Sequence, residues 1–143
     1  MSSETEFRCF VPPPAASGKD AISQNFRISA ISQYCWPIVF KAPWGLTLEQ
    51  TIAHVDTGSK AVLEDIVAYT ERELSRNITH LLLKYGFSFD VALQKDGSVQ
   101  LVELKPFGAL PGYGACLFNW VLDGKVLYGL EEAQFIVTVE YAA

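Results

Sequence analysis

Two acidic residues, Asp90 and Glu103, occupy positions where a β-hairpin could bring their carboxylates together. They lie in the stretch 86–108, GFSFDVALQKDGSVQLVELKPFG, in which two runs of alternating residues flank Asp96-Gly97. Asp-Gly favours a tight turn because both central residues of a type I′ turn need a positive φ. With these two residues as the loop, the register places Asp90 directly opposite Glu103 on one face of the hairpin.

Two carboxylates that face each other could share a divalent cation. Like charges directly opposite on adjacent strands cost roughly 0.2–1 kcal/mol, so the pair calls for a positive partner. Carboxylate oxygens suit Mg²⁺, which usually takes one or two of them and completes its shell with water and nucleotide phosphates. Two other interpretations stay open. The acids could lie on a solvated sheet face, or a three-residue loop with Gly97 in a bulge could put them on opposite faces.

The two faces of this hairpin differ in character. One is apolar enough to lie on a core and carries Phe87, Phe89, Val91, Leu93, Val102 and Leu104. The other carries Ser88, Asp90, Gln94, Glu103 and Lys105. We therefore expect one face to pack and the other to be available for binding.

Four segments of the chain form an ordered set of motifs: EFRCFV (6–11), ISAISQY (28–34), FSFDVALQKDGSVQLVELKPFG (87–108) and ACLFNW (115–120). In this order they resemble the C-terminal part of the cell division cycle protein 123 family. The most specific motif is an Asp followed, at the spacing of Asp90 to Glu103, by an acid-x-x-Pro-Phe-Gly run. The resemblance covers most of the chain except 12–25 and 36–85.

Members of that family look like ATP-grasp proteins, so the resemblance implies ATP and Mg²⁺ as cofactors. By this resemblance Asp90 and Glu103 stand where the family has magnesium-binding acids. Arg8 matches the arginine of the EFRCF run, where a guanidinium would give bidentate hydrogen bonds to nucleotide phosphates. The alternative is an exposed strand arginine that pairs with an acid.

Lys105 departs from the family, because it stands where the family has an asparagine ligand. An ammonium cannot bind a metal at neutral pH. Lys105 could neutralise the acid pair in place of the ion, or it could contact a phosphate of ATP. The sequence leaves both interpretations open.

Composition predicts a single globular domain over 1–143: half of the 143 residues are hydrophobic and 19% are charged. The net charge of −5 gives no basic surface for nucleic acid, so we expect no direct contact with it. Cys9, Cys35 and Cys116 are too few and too far apart for a disulfide framework or a C-x-x-C site. The chain shows neither a signal peptide nor an apolar run of membrane-spanning length, which predicts a cytoplasmic protein without a membrane partner.

Alternation predicts strands at Glu6–Val11 and Phe26–Tyr34, which form a second hairpin. Residues 1–5 are expected to be disordered, and 12–25 read as an inserted loop relative to the family. Residues 36–45 are expected to be irregular, and a further strand is predicted at Phe135–Tyr141.

Helical signals fill the middle of the chain. Thr47 to Gln50 is a capping box that predicts a short helix from Leu48 to about Val55, ended near Gly58. A long helix, or two with a break near 75–77, is predicted from Ser59 to Tyr85 with Gly86 just after it. Its apolar stripe comprises Val62, Ile66, Leu74, Ile78 and Leu82.

Together these elements predict an α+β fold, an antiparallel sheet with one face covered by the long helix and the other open. The resemblance implies the C-terminal subdomain of an ATP-grasp fold. The N-terminal subdomain, which supplies a lysine for the phosphates, has no counterpart before Glu6.

By resemblance the chain is expected to be an ATP-binding assembly factor, or chaperone-like protein, for the trimeric translation initiation factor that carries initiator tRNA, in a truncated or degenerate form. A subunit of that factor would be the partner, and self-association or a second chain could complete the site. Two alternatives stay open: a metal-dependent ATP-grasp ligase, and a nucleotide-free protein-binding module.

Overall fold

A five-stranded mixed sheet and one long helix form the frame of the α+β fold, in a computed structural model that describes residues 5–14, 26–35, 37–73, 81–82, 84–108 and 114–139. The strands are β1 (Glu6–Val11), β2 (Ala30–Gln33), β3 (Phe87–Leu93), β4 (Val99–Pro106) and β5 (Gln134–Ile136). The helices are α1 (Leu48–Glu73) and the short α2 (Gly124–Leu127). The strand order across the sheet is β4-β3-β1-β2-β5.

The sheet is antiparallel except at β5. The predicted hairpin of β1 and β2 is present, with Arg8 opposite Ser32, and β3 pairs antiparallel with β1 on its other side. The expectation of a fully antiparallel sheet is wrong, because β5 pairs parallel to β2. Between β4 and β5 the chain packs apolar residues on the sheet face that carries Phe10, and β5 then runs in the same direction as β2.

Helix α1 begins as predicted but does not stop at Gly58. The Thr47 hydroxyl accepts the Gln50 N–H at 3.1 Å, and the Gln50 side chain accepts the Thr47 N–H at 2.9 Å, which completes the capping box. The helix then runs unbroken through Gly58 to Glu73. A Cβ at Gly58 would lie 2.4 Å from the Val99 Cγ2 atom, so glycine lets α1 approach β4 closely.

The segment before β3 ends as the sequence predicts. Residues 81–82 and 84–85 are helical, and the Gly86 N–H donates to the Leu82 carbonyl at 2.8 Å. Gly86 has a φ of +71°, as expected for a residue just after a helix. Val62, Ile66 and Leu82 of the predicted stripe belong to the core or pack against it, whereas Leu74 and Ile78 lie outside the described residues.

The turn between β3 and β4 is longer than predicted. The Gln94 N–H donates to the Ser98 carbonyl at 2.8 Å, and the Gly97 N–H donates to the Gln94 carbonyl at 2.9 Å, so the loop has three residues, 95–97. Gly97 takes a φ of +88°, and the Asp96 carboxylate accepts the Ser98 N–H at 2.9 Å. The predicted two-residue loop is therefore wrong, because Asp96 stabilises the wider turn through Ser98.

The predicted pairing of Asp90 with Glu103 is nevertheless confirmed. The longer loop pairs Val91 with Leu101, one residue away from the predicted register. The register then shifts between Val91 and Asp90, which leaves Val102 without a partner across the strands. This bulge at Val102 compensates for the extra loop residue and returns both acids to the same face.

Apolar clusters cover both faces of the sheet. The first cluster packs α1 on β1 and β3 and includes Phe7, Val55, Leu63, Phe89 and Val91. The second lies on the opposite face and comprises Phe10, Ala30, Phe107, Ala115, Phe118, Val126 and Leu127. The expectation that the second face is open is therefore wrong in part, since Phe10 on that face requires a cover of its own.

No helix in the described ranges is both long enough and apolar enough to cross a membrane.

Candidate functional site

A row of polar side chains crosses four strands on the face opposite α1. Strand pairing sets Ser32 beside Arg8, Arg8 beside Asp90, and Asp90 beside Glu103. Directly paired residues point to the same face of a sheet, so the four side chains form one line from β2 to β4. The structure thus brings together the predicted site residues Arg8, Asp90 and Glu103, and this line is called the polar row below.

Arg8 and Asp90 form a buried, bidentate ion pair in the middle of the polar row. The Arg8 Nε donates to Asp90 Oδ1 at 2.8 Å, and Nη2 donates to Oδ2 at 3.2 Å. Arg8 is 7% exposed and Asp90 is 2% exposed. Both carboxylate oxygens of Asp90 therefore already accept a charge-assisted hydrogen bond from within the protein.

The rest of the Arg8 guanidinium is also held by the protein. Its Nη1 donates to the Gly114 carbonyl at 3.1 Å, and its carbon lies 5.2 Å from the centre of the Tyr34 ring. All three guanidinium nitrogens thus have partners within the fold, and one face meets an aromatic ring. These hydrogen bonds use three of the guanidinium N–H donors and orient Arg8 towards Asp90 and Gly114.

The pKa shifts of Arg8 and Glu6 agree with a strong interaction between Arg8 and Asp90. Burial by itself lowers the pKa of Arg8, but the hydrogen bond and charge of Asp90 outweigh it, so the pKa of Arg8 is raised. The pKa of Glu6, two residues before Arg8, is also raised, first by burial and then by the charge of Asp90. The charge of Asp90 is thus balanced mainly by Arg8.

Glu103 and Lys105 form a second and looser pair at the edge of the sheet. The Lys105 Nζ lies 3.4 Å from Glu103 Oε2, with the Glu103 side chain 59% exposed and that of Lys105 15% exposed. Lys105 is opposite Ser88, in the predicted register. Its ammonium therefore lies beside an acid of the pair, as the first interpretation of Lys105 requires.

Several residues around Arg8 were not identified from the sequence. Ser32 and Tyr34 could have been found, because both alternate onto the Arg8 face in the ISAISQY run. The Gly114 carbonyl and the neighbouring Cys116 thiol had no local signal, since a distant loop brings them to Arg8. Burial raises the pKa of Cys116 against the lowering influence of Arg8, which keeps the thiol protonated and a poor nucleophile.

The arrangement of Asp90 does not favour a metal ion between the two acids. Arg8 already supplies a positive charge to both oxygens of Asp90, so a Mg²⁺ ion on the same carboxylate would lie beside the guanidinium and be repelled by it. Within the described part of the chain, no three His, Cys, Asp or Glu side chains come together as a group that could hold a metal. The metal role of Asp90 and Glu103, and the cofactor roles of Arg8 and Lys105, stay predictions.

Comparisons with known proteins leave the sequence resemblance as a prediction. No model of a known protein family matches the chain, and no curated protein matches it either. The residues and contacts of the polar row are therefore the basis for any functional proposal.

Proposed function

We propose that this chain is a nucleotide-free protein-binding module, a degenerate relative of ATP-grasp-like assembly factors. One observation carries the proposal: Arg8 occupies both oxygens of Asp90 in a buried pair. A buried acid that is already neutralised by a guanidinium gains little from a metal ion, because the ion would bring a second positive charge close to the first. The Lys105 ammonium beside Glu103 competes with a cation for the other acid.

The turn at 119–123 offers apolar side chains for a protein contact. Val121 and Leu122 are each 85% exposed. Their N–H groups both donate to the Asn119 Oδ1 atom at 2.9 Å, which fixes the turn that presents them. Large apolar side chains held at the surface favour contact with another protein. By resemblance alone, the proposed partner is a subunit of a translation initiation factor.

Isothermal titration of the chain with Mg²⁺ and ATP tests the proposal. We expect no saturable heat up to about 1 mM ligand, the range of very weak binding. Saturable binding that requires both Mg²⁺ and ATP would contradict the nucleotide-free module and support the ATP-binding assembly factor. Formation of a product from ATP, an acid and an amine would instead support the ligase.

The partner has a separate test with purified subunits of the trimeric initiation factor. Binding to one subunit, weakened by Val121→Ser/Leu122→Ser, is expected, with the exposed Leu130→Ser as the matched control. If no subunit binds, the proposed partner is wrong, whereas the titration result still decides the nucleotide-free module.

One observation favours the second candidate, the ATP-binding assembly factor. The contact between Lys105 and Glu103 is 3.4 Å long, and the Glu103 side chain is largely exposed. Such a loose pair costs little to separate. Lys105 could then turn to a phosphate while Glu103 turns to a metal, so the titration distinguishes the two candidates.

A further inference from the structure

Strand β4 combines a sheet edge with exposed apolar side chains. In the described ranges β4 is the outermost strand of the sheet. One edge of β4 pairs with β3, and the other edge has no partner strand there. Leu104 is 53% exposed, and Leu101 and Val102 are each 40% exposed. Beside Leu101 and Leu104, an apolar groove of about 800 Å³ runs between β4 and α1. An edge with exposed leucines is a surface that another strand can join.

The regular part of this edge is short and has defined ends. The bulge at Val102 interrupts the pairing on one side, and Pro106 has no N–H to donate on the other. Only 103–105 remain as a flat segment, with Leu104 at its centre. A partner strand must therefore pair with three residues that are in order negative, apolar and positive.

We propose that the partner strand is β4 of a second copy of this chain, joined antiparallel about a two-fold axis at Leu104. That axis places Leu104 against Leu104 of the second copy on the groove side. It also places Glu103 opposite Lys105 of the second copy, twice, on the face of the polar row. The segment is thus complementary in charge to itself, which selects a second copy over an unrelated strand.

This pairing links the dimer to the polar row. In one chain Lys105 lies 3.4 Å from Glu103, and in the dimer Lys105 of the second copy faces the same carboxylate across the new strand pair. Each copy thereby contributes a positive charge to the acid of the other. Association through β4 does not depend on whether the chain binds a nucleotide, so the dimer and the nucleotide-free module can fail independently.

The first test is sedimentation velocity of the full chain over a concentration series. A three-residue ladder predicts a weak dimer, so the mean mass should rise from the 15.8 kDa of one chain towards twice that value between about 20 µM and about 1 mM. Leu104→Lys places two ammonium groups at the two-fold axis and should leave a monomer throughout. The control Leu130→Lys changes an equally exposed leucine outside β4 and should dimerise as wild type does.

A charge exchange separates contacts between copies from contacts within a chain. Glu103→Lys and Lys105→Glu each put like charges opposite each other in a homodimer, so each alone should be monomeric. Mixed together, the two variants restore both opposite-charge pairs between copies, although neither restores the pair within its own chain. A heterodimer in the mixture is therefore the expected result.

Circular dichroism and urea unfolding verify that all variants keep the wild-type fold. A monomeric wild type at the highest concentration would overturn the proposal, as would a Leu104→Lys variant that dimerises normally. Folded single variants that stay monomeric when mixed would overturn the register about Leu104.

Discussion

The polar row holds one carboxylate in the sheet interior, Asp90, and one at the sheet edge, Glu103, in different surroundings. We call Asp90 with Arg8 the interior half, and Glu103 with its neighbour Lys105 the edge half. In the interior, Asp90 is buried on β3 between two other strands, and Arg8 donates to both of its oxygens. At the edge, Glu103 is largely exposed on β4 and meets Lys105 at 3.4 Å. The two carboxylates face each other directly, yet one has a fixed counterion and the other a loose one.

This difference follows from the position of each strand in the sheet. A carboxylate on a central strand, under the cover of 114–130, loses its water and must be paired within the protein. A carboxylate on an edge strand keeps part of its hydration and can leave its pair at low cost. We therefore expect the interior half to stabilise the fold and the edge half to be the part that could bind a ligand.

The largest expected effect comes from removing the interior cation. Arg8→Leu leaves the buried Asp90 carboxylate without its bidentate partner, and we expect a loss of about 3–5 kcal/mol in the free energy of unfolding. Urea unfolding measures it.

The double variant Arg8→Leu/Asp90→Leu is the matched control. Removing both charges leaves no buried unpaired ion, so most of the stability should return. A loss below about 1 kcal/mol for Arg8→Leu alone would show that Asp90 is hydrated, and the contrast between interior and edge would fail.

The next effect tests the start of β3, the strand that holds Asp90. Gly86 has a φ of +71°, and a Cβ there would lie 2.5 Å from the Val11 carbonyl oxygen. Gly86→Ala should therefore cost about 2–5 kcal/mol, from backbone strain and a clash with main-chain atoms.

Gly45→Ala separates those two causes. Gly45 has a φ of +74°, but a Cβ there would meet nothing within 4 Å. It should cost only the backbone strain, about 1–2 kcal/mol in thermal or urea unfolding. Equal losses for the two variants would mean that the β1–β3 contact at Gly86 is loose.

A smaller effect is expected where α1 approaches the edge strand. Gly58→Ala improves helix propensity by up to about 1 kcal/mol but drives a methyl group into Val99, so we expect a net loss of about 1–2 kcal/mol. A double-mutant cycle with Val99→Ala measures the clash. If the two losses simply add, Gly58 is not what sets the distance between α1 and β4.

The smallest effect belongs to the edge pair. Glu103→Gln removes the charge on the exposed side of this 3.4 Å contact and should change the free energy of unfolding by less than about 1 kcal/mol. Urea unfolding beside Arg8→Leu provides the comparison. A loss similar to that of Arg8→Leu would remove the distinction between the two halves.

Sequence reasoning predicted the pairing of Asp90 with Glu103, although the route to it was incomplete. Asp96-Gly97 indicated a hairpin but not its loop length, because Asp96 binds Ser98 and stabilises a three-residue turn. The bulge at Val102 restored the register, and no pattern in an alternating strand indicates such a bulge. Alternation and the Asp-Gly pair thus placed the hairpin but did not specify its loop length or its bulge.

The pairing of Asp90 with Arg8 was also beyond local sequence patterns. Arg8 was a candidate for phosphate binding by resemblance, with an acid as its alternative partner, and alternation indicated its strand and its face. That β1 lies beside β3, with Arg8 directly opposite Asp90, depends on the strand order of the whole sheet. The parallel pairing of β5, and the packing of 114–130 on the sheet, are also long-range features. Hydrophobic periodicity and composition do not reveal them.

We infer that Arg8 and Lys105 supply the positive charge that a metal would bring to the acid pair. The most direct measurement is relaxation of the side-chain carboxyl signals of Asp90 and Glu103 by Mn²⁺ in NMR, for wild type and Lys105→Asn. In wild type we expect no saturable effect at either carboxyl. Lys105→Asn removes the ammonium and adds a neutral oxygen ligand, so Mn²⁺ should relax Glu103 more than Asp90, whose oxygens remain with Arg8. Saturable relaxation of both carboxyls in wild type, unchanged by Lys105→Asn, would contradict the account.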